Sequence, residues 1–230
     1  MVNYRGFVLE DFDPRKNTID GSRFHHKEIA LTFDDGPHYV HSKIVLNHLK
    51  DFRIPAGFFP IGSRIIPATV PIIERIIEDG HSIGLHCWSH VPWENPKILM
   101  QSKELLEKFT KSPVNMVRFP FGMYLGNSKT KEWLKENRMF EVAWNVNSFD
   151  WIDFFTFNLV RLSPQQIVQN VLRQIDKKGK GIILFHDDRK NTADALPKIL
   201  EEVLQRGYRF VLPKYVPSDE IGSIRLNVRI

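Results

Sequence analysis

Glu28-Ile29-Ala30-Leu31-Thr32-Phe33-Asp34-Asp35-Gly36-Pro37 is a short apolar run that breaks off in two carboxylates, a glycine and a proline. A run of this length bounded by turn residues reads as a strand running into a loop. His41–Phe52 follows with helical spacing at Ile44, Val45, His48 and Leu49. The unit is therefore strand, loop, helix, and it recurs along the chain. Ala56–Ile61 reads as the next strand. Pro67–Asp79 reads as a helix opened by Pro67 and ended by Gly80. His81–His86 is a strand, Pro96–Phe109 a helix, Asn115–Arg118 an extended segment, Asn127–Asn137 a helix and Phe140–Val146 a strand. Ser163-Pro164 caps and opens a helix through Ile175. Gly181–His186 is a strand, Thr192–Gln205 a helix and Tyr208–Leu212 a strand, while Pro217–Ile230 reads as an edge strand or a packed tail. Strand and helix alternate about seven times, which predicts an α/β fold with a parallel sheet and crossover helices, either open or closed into an imperfect barrel.

The bulk composition fits that reading. A chain of 230 residues is expected to form a single domain over 1–230, since no linker, repeat or low-complexity stretch divides it. It is 42% hydrophobic and 26% charged, which excludes a disordered or fibrous chain. Seventeen Phe and five Trp supply a sizeable core and leave aromatics for a cleft. No apolar run approaches the roughly 20 residues of a membrane span, and Met1-Val2-Asn3-Tyr4-Arg5 carries no apolar signal core. The net charge of +5 is spread rather than clustered, so no nucleic-acid partner is expected. One cysteine, Cys87, excludes internal disulfides and Cys-rich metal sites.

The polar residues fall where strands end. Asp34 and Asp35, His86, Arg118, Asn147 with Asp150, and His186 all stand at the carboxyl ends of the expected strands, where parallel α/β folds gather their sites. His86 and His90 are four residues apart, a spacing that on a helical turn points both imidazoles one way. With Asp35 they make a two-histidine, one-carboxylate set of the kind that holds hydrolytic zinc with positions left for water and substrate. Each feature also has a structural reading. Asp34-Asp35-Gly36-Pro37 is turn chemistry, Arg118 suits a surface ion pair, and Trp144 and Trp151 suit a core.

Five motifs in order carry a family resemblance. Thr32-Phe33-Asp34-Asp35-Gly36-Pro37, His86-Cys87-Trp88-Ser89-His90, Arg118-Phe119-Pro120-Phe121-Gly122, Trp144 to Trp151, and Leu184-Phe185-His186-Asp187 resemble the motifs of the polysaccharide deacetylase family, also called the NodB-homology or carbohydrate esterase 4 family. The resemblance implies a deformed (β/α) barrel of about seven strands. It implies a metal-dependent hydrolase that removes N-acetyl groups from N-acetylglucosamine-containing glycans, peptidoglycan or a chitin-like polymer. It also implies residue roles. Asp35, His86 and His90 would hold one divalent ion, Zn2+ first and Co2+ or Ni2+ otherwise. Asp34 would be the general base, oriented by Arg118, and His186 the general acid. The Phe121 N–H would face the oxyanion, Trp151 and Leu184 would line the acetyl pocket, and Tyr124 and other rim aromatics would meet the sugar. The expected partner is an acetylated glycan, met by a monomer outside the cytoplasm.

Two positions depart from the family pattern. Cys87 stands where Ser or Thr is usual, which predicts a less firmly held ligand loop. Asn147 stands where the family has the first Asp of its D-x-x-D-W region. Taken as the partner of His186, an amide predicts a lower pKa for that histidine and weaker activity or a more acidic optimum, unless Asp150 or Asp187 compensates. Two other readings stay open: a glycan-binding domain with impaired catalysis, and an amide hydrolase of a small nitrogenous compound on the same fold.

Overall fold

The computed structural model describes residues 18–91, 96–123, 127–157, 159–216 and 223–226. Its strands are β1 (Thr18–Ile19), β2 (Glu28–Asp34), β3 (Gly57–Phe59), β4 (Ser82–Ile83), β5 (Met116–Val117), β6 (Phe140–Val142), β7 (Val146–Asn147), β8 (Gly181–His186), β9 (Arg209–Phe210), β10 (Pro213–Val216) and β11 (Ser223–Leu226). The helices are α1 (His41–Phe52), α2 (Val70–Glu78), α3 (Pro96–Thr110), α4 (Ser128–Glu136), α5 (Ile152–Phe155), α6 (Pro164–Lys178) and α7 (Lys190–Gln205). Among the described residues no helix is long and apolar enough to cross a membrane.

Seven parallel strands, β2 to β8, make a deformed barrel. One sheet runs β4-β3-β2-β8-β7 and a second runs β1-β6-β5. The bridge Leu85↔Val117 joins the two sheets on one side. On the other, the chain passes directly from β6 to β7 and so from one sheet to the next. The closure is thin at both seams, which is the deformation. β9 adds to the start of β2 beside β3, and β10 pairs with β11 as an antiparallel hairpin.

Period-two alternation explains where the core and the site lie. Every residue of β2 is buried, as expected of a central strand covered on both faces. Ile29, Leu31 and Phe33 pack with Ile183 and Phe185 of β8, with Val45, Leu46 and Leu49 of α1 and with Leu196, Ile199 and Leu200 of α7. Ala30 and Ile182 point the other way, into a smaller interior cluster with Phe24, Phe59, Met116 and Val142. The register sets Ala30 opposite Ile182, Thr32 opposite Leu184 and Asp34 opposite His186. The interior rows thus run from apolar at the strand starts to ionisable at the strand ends.

Local signals explain both ends of α6. Ser163 caps α6 through a reciprocal capping box with Gln166, Pro164 opens it, and Gly179 closes it in the left-handed region. Other boundaries differ from the expectation. The strand expected over Ala56–Ile61 is only Gly57–Phe59, because a 3-10 turn takes over at Gly62–Arg64. The helix expected from Pro67 begins at Val70, with Pro71 in its first turn. The Thr69 hydroxyl accepts from the Ile66 N–H and donates to the Arg64 carbonyl, which holds the intervening residues as a turn. The strand expected over Tyr208–Leu212 is Arg209–Phe210. Of the C-terminal segment, Ser223–Leu226 is described, and it forms the second strand of the hairpin.

Candidate active site

Asp34 closes β2, and Asp35 follows it with φ 73, a left-handed conformation that aspartate tolerates better than most residues. Gly36 comes next because the Asp187 carboxylate occupies the space a side chain would need. Asp187 in turn accepts from the Ser42 hydroxyl, and its N–H donates to the Asp34 carbonyl at 3.2 Å. The loop that carries both carboxylates is therefore pinned between β8 and α1.

His86 to His90 is not a helical turn. Cys87 and His90 both have positive φ, 61 and 57, and the segment is an irregular loop after the Leu85 bridge. The imidazoles converge because the backbone doubles back, not because of helical spacing. The loop is held by main-chain bonds from Gly62 N–H to Cys87 O (3.0 Å) and from Ser63 N–H to Trp88 O (2.9 Å). Cys87 is 3% exposed and packs in the main core, so the expected loosening of this loop has no counterpart in its backbone bonding. Trp88 packs over Gly62.

Asp35 Oδ1 lies 3.2 Å from Nε2 of His86 and 3.2 Å from Nε2 of His90. It is buried and makes no hydrogen bond. A buried carboxylate oxygen without a partner is costly, and three donor atoms within 4.8 Å of one another suit a cation that would supply the missing partner. The set of one oxygen and two nitrogens matches a zinc-type ion. His86 donates from Nδ1 to the Arg118 carbonyl at 2.7 Å, which turns Nε2 toward the cluster. Burial alone would raise the Asp35 carboxyl, but the imidazoles of His86, His186 and His90 hold it well below the usual range. Burial pulls His86 down, but the charges of Asp34 and Asp35 raise it overall. Burial wins at His90 and lowers it.

Arg118 is 1% exposed, not a surface partner. Its Nη1 donates to Asp34 Oδ1 (2.7 Å) and to the Thr32 hydroxyl (2.9 Å). Nε and Nη2 donate to the carbonyls of Val142 (2.7 Å) and Ala143 (3.2 Å). The guanidinium also stacks on Phe59 and Trp144. Burial lowers its pKa against the opposing pull of Asp34. With so many fixed partners it holds one oxygen of Asp34 rigidly and leaves the other facing the cluster, 3.9 Å from His86 Nε2.

His186 ends β8 opposite Asp34. Its partner is Asp150, which accepts from the ring Nδ1 at 2.7 Å, from the His186 N–H at 2.8 Å and from the Thr192 hydroxyl at 2.5 Å. Burial alone would lower the imidazole, but the Asp150 carboxylate, with Asp35 and Asp34 behind it, pushes it up to about 10. The lower pKa expected from Asn147 is thereby corrected. Asn147 Oδ1 accepts from the Phe149 N–H (2.9 Å) and from the Trp151 indole N–H (3.0 Å), so it braces the loop and the tryptophan rather than the acid.

These groups border a cavity of about 200 Å³. Asp34, Asp35, His86, His90 and His186 line it, with Phe121, Trp151 and Leu184 among its apolar walls. Phe121 has φ 59 and sets its ring edge-on to His90, 4.7 Å between centroids. Tyr124 lies outside the described residues. His38 accepts from the N–H groups of Val40 and His41 and serves the start of α1. The sequence reading did not single out Arg64, Asp188 or Arg189, which also line the cavity. The adjacent Asp187-Asp188-Arg189 run after His186 was a legible signal for two of them; Arg64 had none.

Fold and cluster together define a (β/α)-barrel protein with a two-histidine, one-carboxylate site at the carboxyl ends of its strands. The family model for polysaccharide deacetylase matches residues 21–138. The peptidoglycan-N-acetylglucosamine deacetylase of Bacillus cereus is 32% identical over 196 residues, covering 80% of this chain and 85% of that protein. The peptidoglycan-N-acetylmuramic acid deacetylase PdaC of Bacillus subtilis is 30% identical over 207 residues, covering 86% of this chain but 40% of PdaC. The crystal structure of the Bc1960 peptidoglycan N-acetylglucosamine deacetylase superposes with a TM-score of 0.76 at 27% identity, covering 86% of this chain and 91% of that one. This chain belongs to the polysaccharide deacetylase family.

Proposed function

We propose that this chain hydrolyses the N-acetyl group of acetylated amino sugars in peptidoglycan or a related glycan, outside the cytoplasm. The observation that carries the reading is that two differently furnished groups line one cavity: Asp34 held by a buried Arg118, and His186 held by a buried Asp150. The names of the relatives support the choice of glycan.

Asp35, His86 and His90 would hold one divalent cation, zinc first, with cobalt or nickel able to replace it. Such an ion supplies Lewis acidity to the acetyl carbonyl and acidifies a neighbouring water. Asp34 takes the proton from that water, its position set by Arg118. The Phe121 N–H faces the oxygen that becomes negatively charged. His186, protonated across the neutral range, donates to the departing amine nitrogen, which cannot leave as an anion. Trp151 and Leu184 confine the acetyl methyl and disfavour longer acyl groups by a few kcal/mol. The main reason to suspect impaired catalysis was Asn147, and that reason falls away once Asp150 is the partner of His186.

The test is acetate release from N-acetylglucosamine oligomers and from peptidoglycan, with zinc, with a chelator and with Asp34→Asn. Release that needs both the metal and Asp34 is expected. Release that survives chelation or D34N would overturn the mechanism, and none from any glycan, with the fold intact, would overturn the function.

A further inference from the structure

Two arginines that the reaction does not use, Arg64 and Arg189, stand at the cavity. Arg64, in the 3-10 turn Gly62–Arg64, donates from Nη1 to the Asp35 carbonyl at 2.6 Å and pairs with Asp188 Oδ2 at 2.9 Å. Arg189 lies on the other side of the same carboxylate, Nε 3.3 Å from Asp188 Oδ1 without forming a hydrogen bond. It also reaches Asp153 at 3.1 Å, and Arg161 joins Asp153 at 3.3 Å. Among the described residues, Asp188 thus pairs with Arg64 and Arg189, and Asp153 with Arg189 and Arg161. The Nε and Nη2 of Arg64 make no hydrogen bond among the described residues, and its side chain is 42% exposed. Arg64 and Arg189 both line the cavity that holds Asp34 and His186.

We infer that Arg64 and Arg189 form an anion subsite for a carboxylate carried on the sugar beside the acetamido group, as in the lactyl ether of an N-acetylmuramic acid residue. The inference rests on the deacetylase reading above and narrows its substrate. The acetamido nitrogen sits on C2 and the lactyl ether on C3, so the two groups leave the ring on adjacent carbons. A carbonyl drawn toward Asp35, His86 and His90 brings the carboxylate to the same end of the cavity. There Arg64 already touches the backbone of Asp35, and its hydrogen bonds to that carbonyl and to Asp188 orient its guanidinium, which lowers the ordering cost of a forked contact. A neutral N-acetylglucosamine leaves those free N–H groups facing only hydroxyls or water. Asp188 offsets one of the two guanidinium charges, which keeps the subsite from being a general polyanion trap.

The test compares kcat/KM for three substrates: a glycan strand stripped of its peptides with free lactyl carboxylates, the same strand with those carboxylates amidated, and an N-acetylglucosamine tetramer. Mass spectrometry of the products identifies the deacetylated sugar. The wild type is expected to prefer the carboxylate form by about tenfold, the scale of one charge-assisted hydrogen bond. That preference should collapse in Arg64→Gln/Arg189→Gln, where glutamine keeps a polar side chain without the charge. Equal rates on free and amidated strands, or a preference that survives the double substitution, would overturn the subsite. If no substrate releases acetate, the deacetylase reading fails separately. Binding of N-acetylmuramic acid against N-acetylglucosamine, read by calorimetry on the zinc-loaded protein, then decides the subsite: tighter muramic acid binding lost in the double variant supports it, and equal affinity overturns it. Thermal melts of both proteins exclude misfolding as the cause of a lost preference.

Discussion

Asp150 accepts three hydrogen bonds, two of them from His186, whereas Asn147 serves Phe149 and Trp151. The two positions therefore respond differently to substitution. Asp150→Asn removes the largest of the charges that lift His186 to about 10, leaving burial opposed only by the more distant Asp35 and Asp34. The alkaline limb of the kcat profile should move to lower pH and kcat should fall by roughly 10²–10⁴, the usual weight of a general acid. Asn147→Asp should leave that limb in place; a limb that moves with N147D and not with D150N would return Asn147 to the acid. The same pair links stability to pH. The folded pKa of His186 lies above its unfolded value of about 6.5, so the pair's contribution is complete below that pH and is lost as pH rises toward 10. The urea midpoint of wild type should exceed that of D150N by more at pH 6 than at pH 10. Gly36 gives a second residue-scale prediction. Gly36→Ala sets a methyl into the Asp187 carboxylate and should shift the Asp34–Asp35 loop, costing roughly 100-fold in kcat/KM if the misplacement is about 1 Å. A G36A variant with unchanged acetate release would show that this close approach does not hold the loop in place.

At the scale of elements, the ends of helices and strands carry the site. Helix α6 begins at a capping box on Ser163, and one turn from its far end Gln174 clasps the backbone of Asn147, accepting at 3.0 Å and donating at 2.6 Å. The helix thereby steadies the loop that delivers Asp150. Ser163→Ala should cost about 1 kcal/mol, a fall of roughly 2–4 °C in Tm for a chain of this size, with little change in kcat because the Gln174 end is untouched. A parallel loss of activity would mean that the cap, and not the tertiary packing, fixes the loop. The β2–β8 pair shows the complementary logic. Because side chains alternate, one register decides both which residues meet the helices and which ionisable groups face each other at the strand ends.

For the whole molecule, the cluster of Asp35, His86 and His90 exists only because β2 and β4, far apart in the chain, lie two strands apart in one sheet. Asp35 follows β2, and the histidines follow the bridge that joins β4 to the second sheet. An ion that binds this arrangement and not the unfolded chain stabilises by mass action, about 2.7 kcal/mol at 100 times its Kd. Zinc at that ratio should raise Tm by roughly 5–10 °C, and His90→Ala should abolish the increase at the same concentration. A zinc-dependent rise that persists in H90A would place the ion elsewhere.

The sequence alone determined the alternation of strand and helix, the place of β2, the ends of α1, the start of α6, and the set of residues that reach the strand ends. These follow from periodicity and from the backbone preferences of Gly, Pro, Ser and Asp, which are local. Only the tertiary structure decided which side chain serves His186, because Asn147 and Asp150 stand three residues apart at the end of β7 and spacing does not tell which one turns inward. It likewise decided that His86 and His90 converge through two left-handed residues and not along a helix, and that Arg118 is buried among carbonyls and aromatic faces. It brought Arg64 to the rim beside Asp188, a contact between residues far apart in the chain. Pairings of that kind depend on how the sheets close, and a hydrogen bond between distant residues leaves no trace in the local pattern of either one.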